Sequence, residues 1–184
     1  MINNLEFTAF PKMARLSREI VITEKIDGTN ACIKITADGD FLTGSRTRWI
    51  TPENDNYGFS KWAHENKEDL LLLGEGLHFG EWWGSGIQKG YGLVKGEKRF
   101  SLFNTTRWND TTAIPLCCYV VPELYRGDFN TNIVDELLGT LKEYGSIASP
   151  GFMKPEGIIV FHIAGNVGFK KTIEKDEVPK SLVH

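Results

Sequence analysis

The sequence predicts an α+β fold in which antiparallel sheets carry packed helices. Its first half alternates short runs of β-forming residues with turn signals such as Asp27-Gly28, which is typical of antiparallel strands. Two longer stretches instead repeat apolar residues at helical spacing. Because these helical stretches are inserted between groups of strands, the whole pattern indicates the α+β class.

The first three predicted strands lie close together and are expected to form an antiparallel meander over residues 19–24, 31–36 and 41–45. Five further β-type runs follow at residues 77–83, 99–104, 116–121, 157–163 and 167–173. One helix is predicted over residues 59–73. A second is predicted where five apolar residues share one face: Ile133, Leu137, Leu138, Leu141 and Tyr144. Both helices are expected to pack that face on a sheet.

Length and composition predict one domain covering residues 1–184. No apolar run approaches the roughly 20 residues that span a bilayer, and Asn3, Asn4 and Glu6 interrupt any signal peptide, so we expect a cytoplasmic protein without membrane partners. The net charge of −3 argues against non-specific coating of nucleic acid but leaves room for a local basic groove. Three cysteines without CxxC spacing predict neither a zinc site nor a disulfide framework.

Lys25 stands at the end of the first predicted strand, just before the Asp27-Gly28 turn. A strand end fixes the direction of a side chain, and Gly28 lets backbone come close to whatever the amine contacts. A neutral lysine amine can act as a nucleophile. Taken alone, the heptapeptide from Glu24 to Asn30 favours an exposed lysine beside an ordinary hairpin turn, so a catalytic assignment depends on the rest of the sequence.

The pattern Lys25-x-Asp-Gly-x-Asn30 resembles the nucleotidyl motif of covalent nucleotidyltransferases, which include ATP-dependent RNA ligases, DNA ligases and mRNA capping enzymes. Five later stretches resemble the family's other motifs in the same order, at residues 45–47, 78–84, 100–104, 155–160 and 169–171. Six ordered motifs are far more specific than any one of them. The resemblance implies an antiparallel-sheet nucleotidyltransferase fold, that of an ATP-grasp-like ligase adenylation domain, and attachment of AMP to Lys25.

The resemblance also implies the residues that bind ATP: Glu24, Asn30, Arg46, Glu81, Phe103, Glu156, Lys170 and Lys171. Glu156 and Glu81 are expected to hold Mg²⁺, which Mn²⁺ can replace, and Phe103 to stack on the adenine. The family usually separates its two closing lysines by one residue, whereas Lys170 and Lys171 are adjacent and would point to opposite faces of a strand. Lys170 is therefore expected at the α-phosphate, with Lys171 as its helper.

Three basic residues are expected to contact nucleic acid. By the family resemblance, Arg46 faces phosphates or the strand end being joined, because a guanidinium makes forked contacts with phosphate oxygens. Arg48 is expected to share its strand face. Lys89 lies in a glycine-rich segment after the third motif, where we expect a flexible loop on the substrate side.

Two observations favour an RNA ligase within this superfamily. First, about a dozen residues follow the closing lysines, which is too few for the OB-fold domain of DNA ligases and capping enzymes. Second, residues 103–108 resemble the form that this motif takes in nick-sealing RNA ligases. The resemblance implies a phage-type enzyme that joins 5′-phosphate to 3′-hydroxyl ends of RNA, with DNA or a hybrid duplex as the other substrates to consider. Without an appended domain, we expect the enzyme either to depend on a protein partner that replaces it or to accept a pre-formed nick. A minimal ATP-dependent DNA ligase and a non-catalytic nucleotide- or RNA-binding module are the alternatives.

Overall fold

The computed structural model describes residues 8–109, 111–174 and 176. Three helices are described in these ranges: α1 (Phe59–Glu65), α2 (Lys67–Leu70) and α3 (Thr131–Tyr144). The strands form two sheets, a four-stranded sheet with the order β10-β9-β1-β8 and a six-stranded sheet with the order β4-β3-β2-β5-β6-β7. This arrangement confirms the predicted α+β class.

The four-stranded sheet comprises β1 (Glu19–Lys25), β8 (Glu123–Asp128), β9 (Gly157–His162) and β10 (Val167–Thr172). Strand β1 lies in its interior, and Ile20, Val21 and Ile22 are almost fully buried. Helix α3 packs on one face of this sheet, where Leu141 joins the core formed by β1 and β9. Asn130 caps the start of α3, since its side chain accepts a hydrogen bond from Asn132 N.

The six-stranded sheet comprises β2 (Thr29–Ile35), β3 (Phe41–Ser45), β4 (Trp49–Ile50), β5 (Gly76–Gly84), β6 (Lys98–Leu102) and β7 (Cys118–Val120). Helices α1 and α2 cover one of its faces, and Phe59, Trp82 and Phe100 lie at the centre of that core. A smaller apolar cluster, which includes Ile26 and Trp83, joins the two sheets where the chain passes from β1 to β2. Within the ranges described, no helix is long and apolar enough to cross a membrane.

Four predictions about the elements are corrected. The meander is wrong because β1 belongs to a different sheet from β2 and β3, so the Asp27-Gly28 turn connects two sheets. Strand β8 was not predicted, since its polar run lies at a sheet edge. The helix expected over residues 59–73 breaks at Asn66, where the backbone leaves helical geometry. Strands β6 and β7 pair in parallel, so the six-stranded sheet is not wholly antiparallel.

Candidate active site

Lys25 is the last residue of β1, and its side chain points away from α3. Residues directly opposite on paired strands share a face, so the register of β1 with β9 and of β9 with β10 places Lys25 on the same face as Lys170. The Nζ atom of Lys25 donates to the Glu156 carboxylate, which precedes β9, and forms an ion pair with it. Both side chains keep some exposure, 20% and 17%, so a ligand can reach the amine.

Glu81 lies on β5, opposite Asn30 of β2, and faces the same site. Its carboxylate accepts hydrogen bonds from Gly28 N and from Asn30 Nδ2, each at 3.1 Å. Burial raises the pKa of Glu81 to about 7, although the charge of Lys25 and these hydrogen bonds oppose the shift. A carboxylate that is buried beside a lysine and titrates near neutrality is typical of a functional site.

Gly28 allows the turn after Lys25 to lie directly on β5. A Cβ atom added there would come within 2.5 Å of Trp82 O, 2.7 Å of Trp83 Cβ and 3.0 Å of Glu81 Cγ. Only a residue without a side chain fits at this distance. The close approach brings the Gly28 N–H to Glu81 and so couples the turn that follows the lysine to the second sheet.

Glu24 precedes Lys25 and points to the opposite face of the sheet, where it is almost fully buried. One carboxylate oxygen accepts hydrogen bonds from the hydroxyls of Tyr91, at 2.8 Å, and Ser146, at 2.5 Å. The other accepts from Ile147 N and Ala148 N, each at 2.9 Å. Both oxygens are therefore occupied within the protein, and a contact between Glu24 and the nucleotide stays a prediction.

Tyr91 is a buried residue of this site that the sequence patterns did not single out. Its hydroxyl donates to the Glu24 carboxylate and also lies within hydrogen-bond distance, 3.3 Å, of the Lys25 carbonyl oxygen. The same hydroxyl oxygen accepts a hydrogen bond from Glu156 N at 3.3 Å. The ring packs against Phe152 with a centroid separation of 4.7 Å. One side chain thus links the backbones of the lysine and of its carboxylate partner. A lone aromatic residue inside a glycine-rich segment was the available signal.

The two adjacent lysines of β10 have different surroundings. Lys170 is exposed and shares the face of Lys25, whereas Lys171 lies opposite Ile158 on the face that carries α3. There the Lys171 amine pairs with Asp135 at 2.6 Å, and this pair raises the pKa of Lys171. The predicted opposite orientation of the two lysines is confirmed. The structure does not bring Lys171 to the site, so its predicted helper role lacks geometric support.

The remaining predicted residues lie around the site on the six-stranded sheet and its loops. Phe103 follows β6, donates its backbone N–H to Phe79 O, and keeps 39% of its surface exposed. Arg46 and Lys89 are exposed. The expectation that Arg48 shares a strand face with Arg46 is wrong, because residues 46–48 form the turn between β3 and β4. The Arg48 guanidinium instead lies 3.3 Å from Asn54 O.

The acidic residues suit a hydrated divalent cation better than a metal held by protein alone. Among residues 8–109, 111–174 and 176, no group of three or more His, Cys, Asp or Glu side chains could hold a metal. Mg²⁺ usually takes one or two carboxylates and completes its shell with water and substrate phosphates. Glu81 and Glu156 fit that requirement, since each accepts two or fewer hydrogen bonds and a carboxylate has about four acceptor positions.

Several solved structures share this fold. Naegleria gruberi RNA ligase matches as a lysine-to-methionine mutant with AMP and Mn, with 19% identity and a TM-score of 0.62. A lysine-to-alanine mutant of that ligase with ATP and Mn, and the ligase with PPi, each match with 19% identity and a TM-score of 0.61. Each match covers 85% of this chain, which spans about half the length of those proteins. At this identity the likeness shows the fold.

Among curated proteins, no sequence matches this chain. A family model described as RNA ligase matches residues 18–173, which include all six motifs. That range extends from just before β1 to just after β10, so it contains Lys25, Glu81, Glu156 and Lys170 together. The chain therefore belongs to the RNA ligase family.

Proposed function

We propose that this chain is the adenylyltransferase part of an ATP-dependent RNA ligase and that Lys25 is its nucleophile. The observation that carries the proposal is the position of the Lys25 amine. It lies at a strand end, is paired with Glu156, is near enough to Glu81 for its charge to act on that carboxylate, and is on the sheet face that also carries Lys170. An amine, two carboxylates for a hydrated cation and a second cation together suit attack on a phosphoryl group.

The proposed reaction has three balanced steps. The neutral Lys25 amine attacks the α-phosphorus of ATP, a phosphorus–nitrogen bond forms, and pyrophosphate leaves. An oxygen of a 5′-phosphate end then attacks the same phosphorus, which frees the lysine and joins AMP to the end through a new phosphoanhydride. Finally the 3′-hydroxyl oxygen of the other end attacks the end's own phosphorus, so that a phosphodiester forms and AMP leaves.

Each pocket residue has a proposed role in binding the nucleotide. Lys170 neutralises the α-phosphate, because it lies on the face of Lys25. Asn30 and Arg46 contact phosphates or the strand end, and the exposed ring of Phe103 offers a platform for the adenine. Glu24 anchors the end of β1 next to Lys25 through its buried hydrogen bonds. Lys171 is not part of the proposed pocket, because its amine pairs with Asp135.

Mg²⁺, or Mn²⁺ in its place, is the proposed metal. Glu156 and Glu81 would hold it, and the ion would neutralise charge on the phosphate oxygens. The structures of the Naegleria ligase with ATP and Mn support the use of a divalent ion by this fold. The Lys25 amine is paired with Glu156, so a cation held by Glu156 would compete with the amine for that carboxylate.

The test is the lysyl-AMP adduct. Incubation with α-labelled ATP and Mg²⁺ should give an amine-linked AMP adduct that withstands alkali and is released by acid, as a phosphoramidate is, on the wild-type chain and none on Lys25→Ala. Lys34→Ala is the matched control. Lys34 lies near the end of β2 that is farther from Asn30 and the site, so this variant should form the adduct as the wild type does. An undiminished adduct on Lys25→Ala, or no adduct on the wild type, would refute the assignment.

Substrate assays separate the alternatives. Labelled GTP in place of ATP identifies a capping enzyme, and nicked RNA, DNA and hybrid duplexes separate an RNA ligase from a minimal DNA ligase. A non-catalytic binding module would bind ATP without forming the adduct. A protein partner that supplies RNA affinity, a role in RNA repair, a phage source and a cytoplasmic location remain predictions from the sequence.

A further inference from the structure

Part of one face of the six-stranded sheet is open and apolar. It is the face that carries Glu81, opposite to the one covered by α1 and α2. Four large apolar side chains on it are exposed by 43 to 54%, which is unusual for residues of regular strands: Leu42, Trp49, Leu77 and Phe79. Their shared face follows from the register, which aligns Phe79 with Cys32, Cys32 with Gly44, and Gly44 with Trp49.

Trp49 lies against the sheet as a platform. A Cβ atom added to Gly44 would meet Trp49 Cε3 at 3.1 Å and Cζ3 at 3.3 Å, so the indole covers the strand where the side chain is missing. The same Cβ atom would meet Cys32 Sγ at 2.7 Å, which shows how closely the three residues pack. With one side supported and 54% of the residue exposed, the indole can receive a flat ring on its free side.

Positive charge accompanies this apolar face. Lys34 lies between Leu77 and Leu42 in the register. Among the residues of strands β2 to β5 that lie on this face, Lys34 and Glu81 are the two that carry a charge. Arg46 and Arg48 are exposed in the turn that leads into Trp49. Aromatic platforms interleaved with cations are the chemistry that binds a single nucleic-acid strand, in which bases stack and phosphates pair with cations.

The open face is continuous with the proposed nucleotide pocket. Phe103, the proposed adenine platform, adjoins Phe79, and Trp49 ends the same row at the far edge of the sheet. Four inter-strand spacings separate Phe103 from Trp49, or about 19 Å. That separation exceeds the reach of a single nucleotide, so AMP on Phe103 would leave Trp49 free for a second base.

We infer that this face, formed by Trp49, Leu42, Lys34 and Phe79, binds the RNA strand whose end is joined. Trp49 stacks on a base, while Lys34 and the turn arginines contact phosphates. The inference rests on the proposed function, because it takes the strand to be a substrate of the lysyl-AMP enzyme. The surface is apolar enough to serve a second copy of this chain or a protein partner instead, and the test separates those occupants.

The test measures binding of a short, fluorescein-labelled, single-stranded RNA with a 3′-hydroxyl. Trp49→Ala should weaken its affinity by about tenfold to a hundredfold, the usual loss for one stacked base. Trp49→Phe, which keeps an aromatic ring, should bind within about threefold of the wild type. Leu72→Ala is the matched control, because Leu72 is 71% exposed but lies in the helical region, away from the open face. Lys34→Ala should lower the salt dependence of binding by about one phosphate contact.

Adduct formation from ATP distinguishes the two proposals. Trp49→Ala should form lysyl-AMP at the wild-type rate, since that step uses no RNA, and this also shows that the variant is folded. Wild-type RNA affinity in Trp49→Ala overturns the inference, as does a wild-type dimer that Trp49→Ala converts to monomers without loss of RNA affinity. Absence of the adduct in every variant, with RNA binding still dependent on Trp49, would refute the proposed function and leave the strand site standing.

Discussion

Tyr91→Phe tests whether the buried hydroxyl positions the nucleophile. The change keeps the ring and its packing on Phe152 but removes the donor to Glu24 and the acceptor of Glu156 N. A hydrogen bond to a charged group contributes roughly 1.5–3 kcal/mol, and the contact at 3.3 Å adds little. We therefore expect a loss of about 2 kcal/mol in the free energy of unfolding, or about 4–8 °C in Tm for a chain of this size.

The effect on chemistry should exceed the effect on ATP binding. Without the hydroxyl, the backbone of Lys25 is less firmly held, and misplacement of the amine should slow adduct formation about tenfold while the KM for ATP changes little. Single-turnover adduct formation with labelled ATP, measured well below Tm, checks this. Tyr119→Phe is the control, since Tyr119 is 44% exposed. A destabilised Tyr91→Phe protein with wild-type adenylation would show that the hydroxyl supports only the fold.

Three further predictions test the site. Gly28→Ala should destabilise the protein by roughly 1–3 kcal/mol and reduce adduct formation, because the new Cβ overlaps β5. Gly139→Ala in α3 is the control: its new Cβ meets nothing within 4 Å, so a denaturant titration should find it neutral or slightly stabilising. Glu81 has a folded pKa of about 7 against an ordinary 4.5, so the folded chain retains a proton that the unfolded chain releases, and stability should fall as pH rises through that window. In Glu81→Gln the difference in unfolding free energy between pH 4 and pH 8 should therefore change by about 3 kcal/mol, and an unchanged pH dependence would contradict the shift. Lys170→Ala should slow adduct formation at least tenfold, whereas Lys171→Ala should remain within about threefold of the wild type because its amine serves an exposed ion pair; equal losses in both variants would refute the division of roles.

Most strands could be predicted from local patterns, because alternation and turn residues are local properties. The pairing of strands could not. The Asp27-Gly28 turn has the composition of a hairpin, yet the apolar residues around it are buried in a cluster between two sheets. Burial in that cluster directs the chain after β1 into the second sheet, and no short-range sequence pattern indicates this burial. The polar edge strand β8 was missed for the related reason that its pairing with β1 involves residues about a hundred positions apart.

The sequence by itself determined the family and the residue types of the site. Six motifs in order pointed to Lys25, Glu81, Glu156 and Lys170 as the proposed site residues, because the proposed chemistry calls for those types of side chain. The alternation of strand residues also separated Lys170 from Lys171, since adjacent residues of a strand point to opposite faces.

Only the tertiary structure decided how those residues are held. Sheet register placed Lys25 beside Glu156, and the approach of Gly28 to β5 brought Glu81 to them. The tertiary structure also revealed the Tyr91 hydroxyl and the open face around Trp49. The physical reason is that burial, hydrogen-bond partners and exposure depend on contacts between distant segments, which local sequence patterns do not encode.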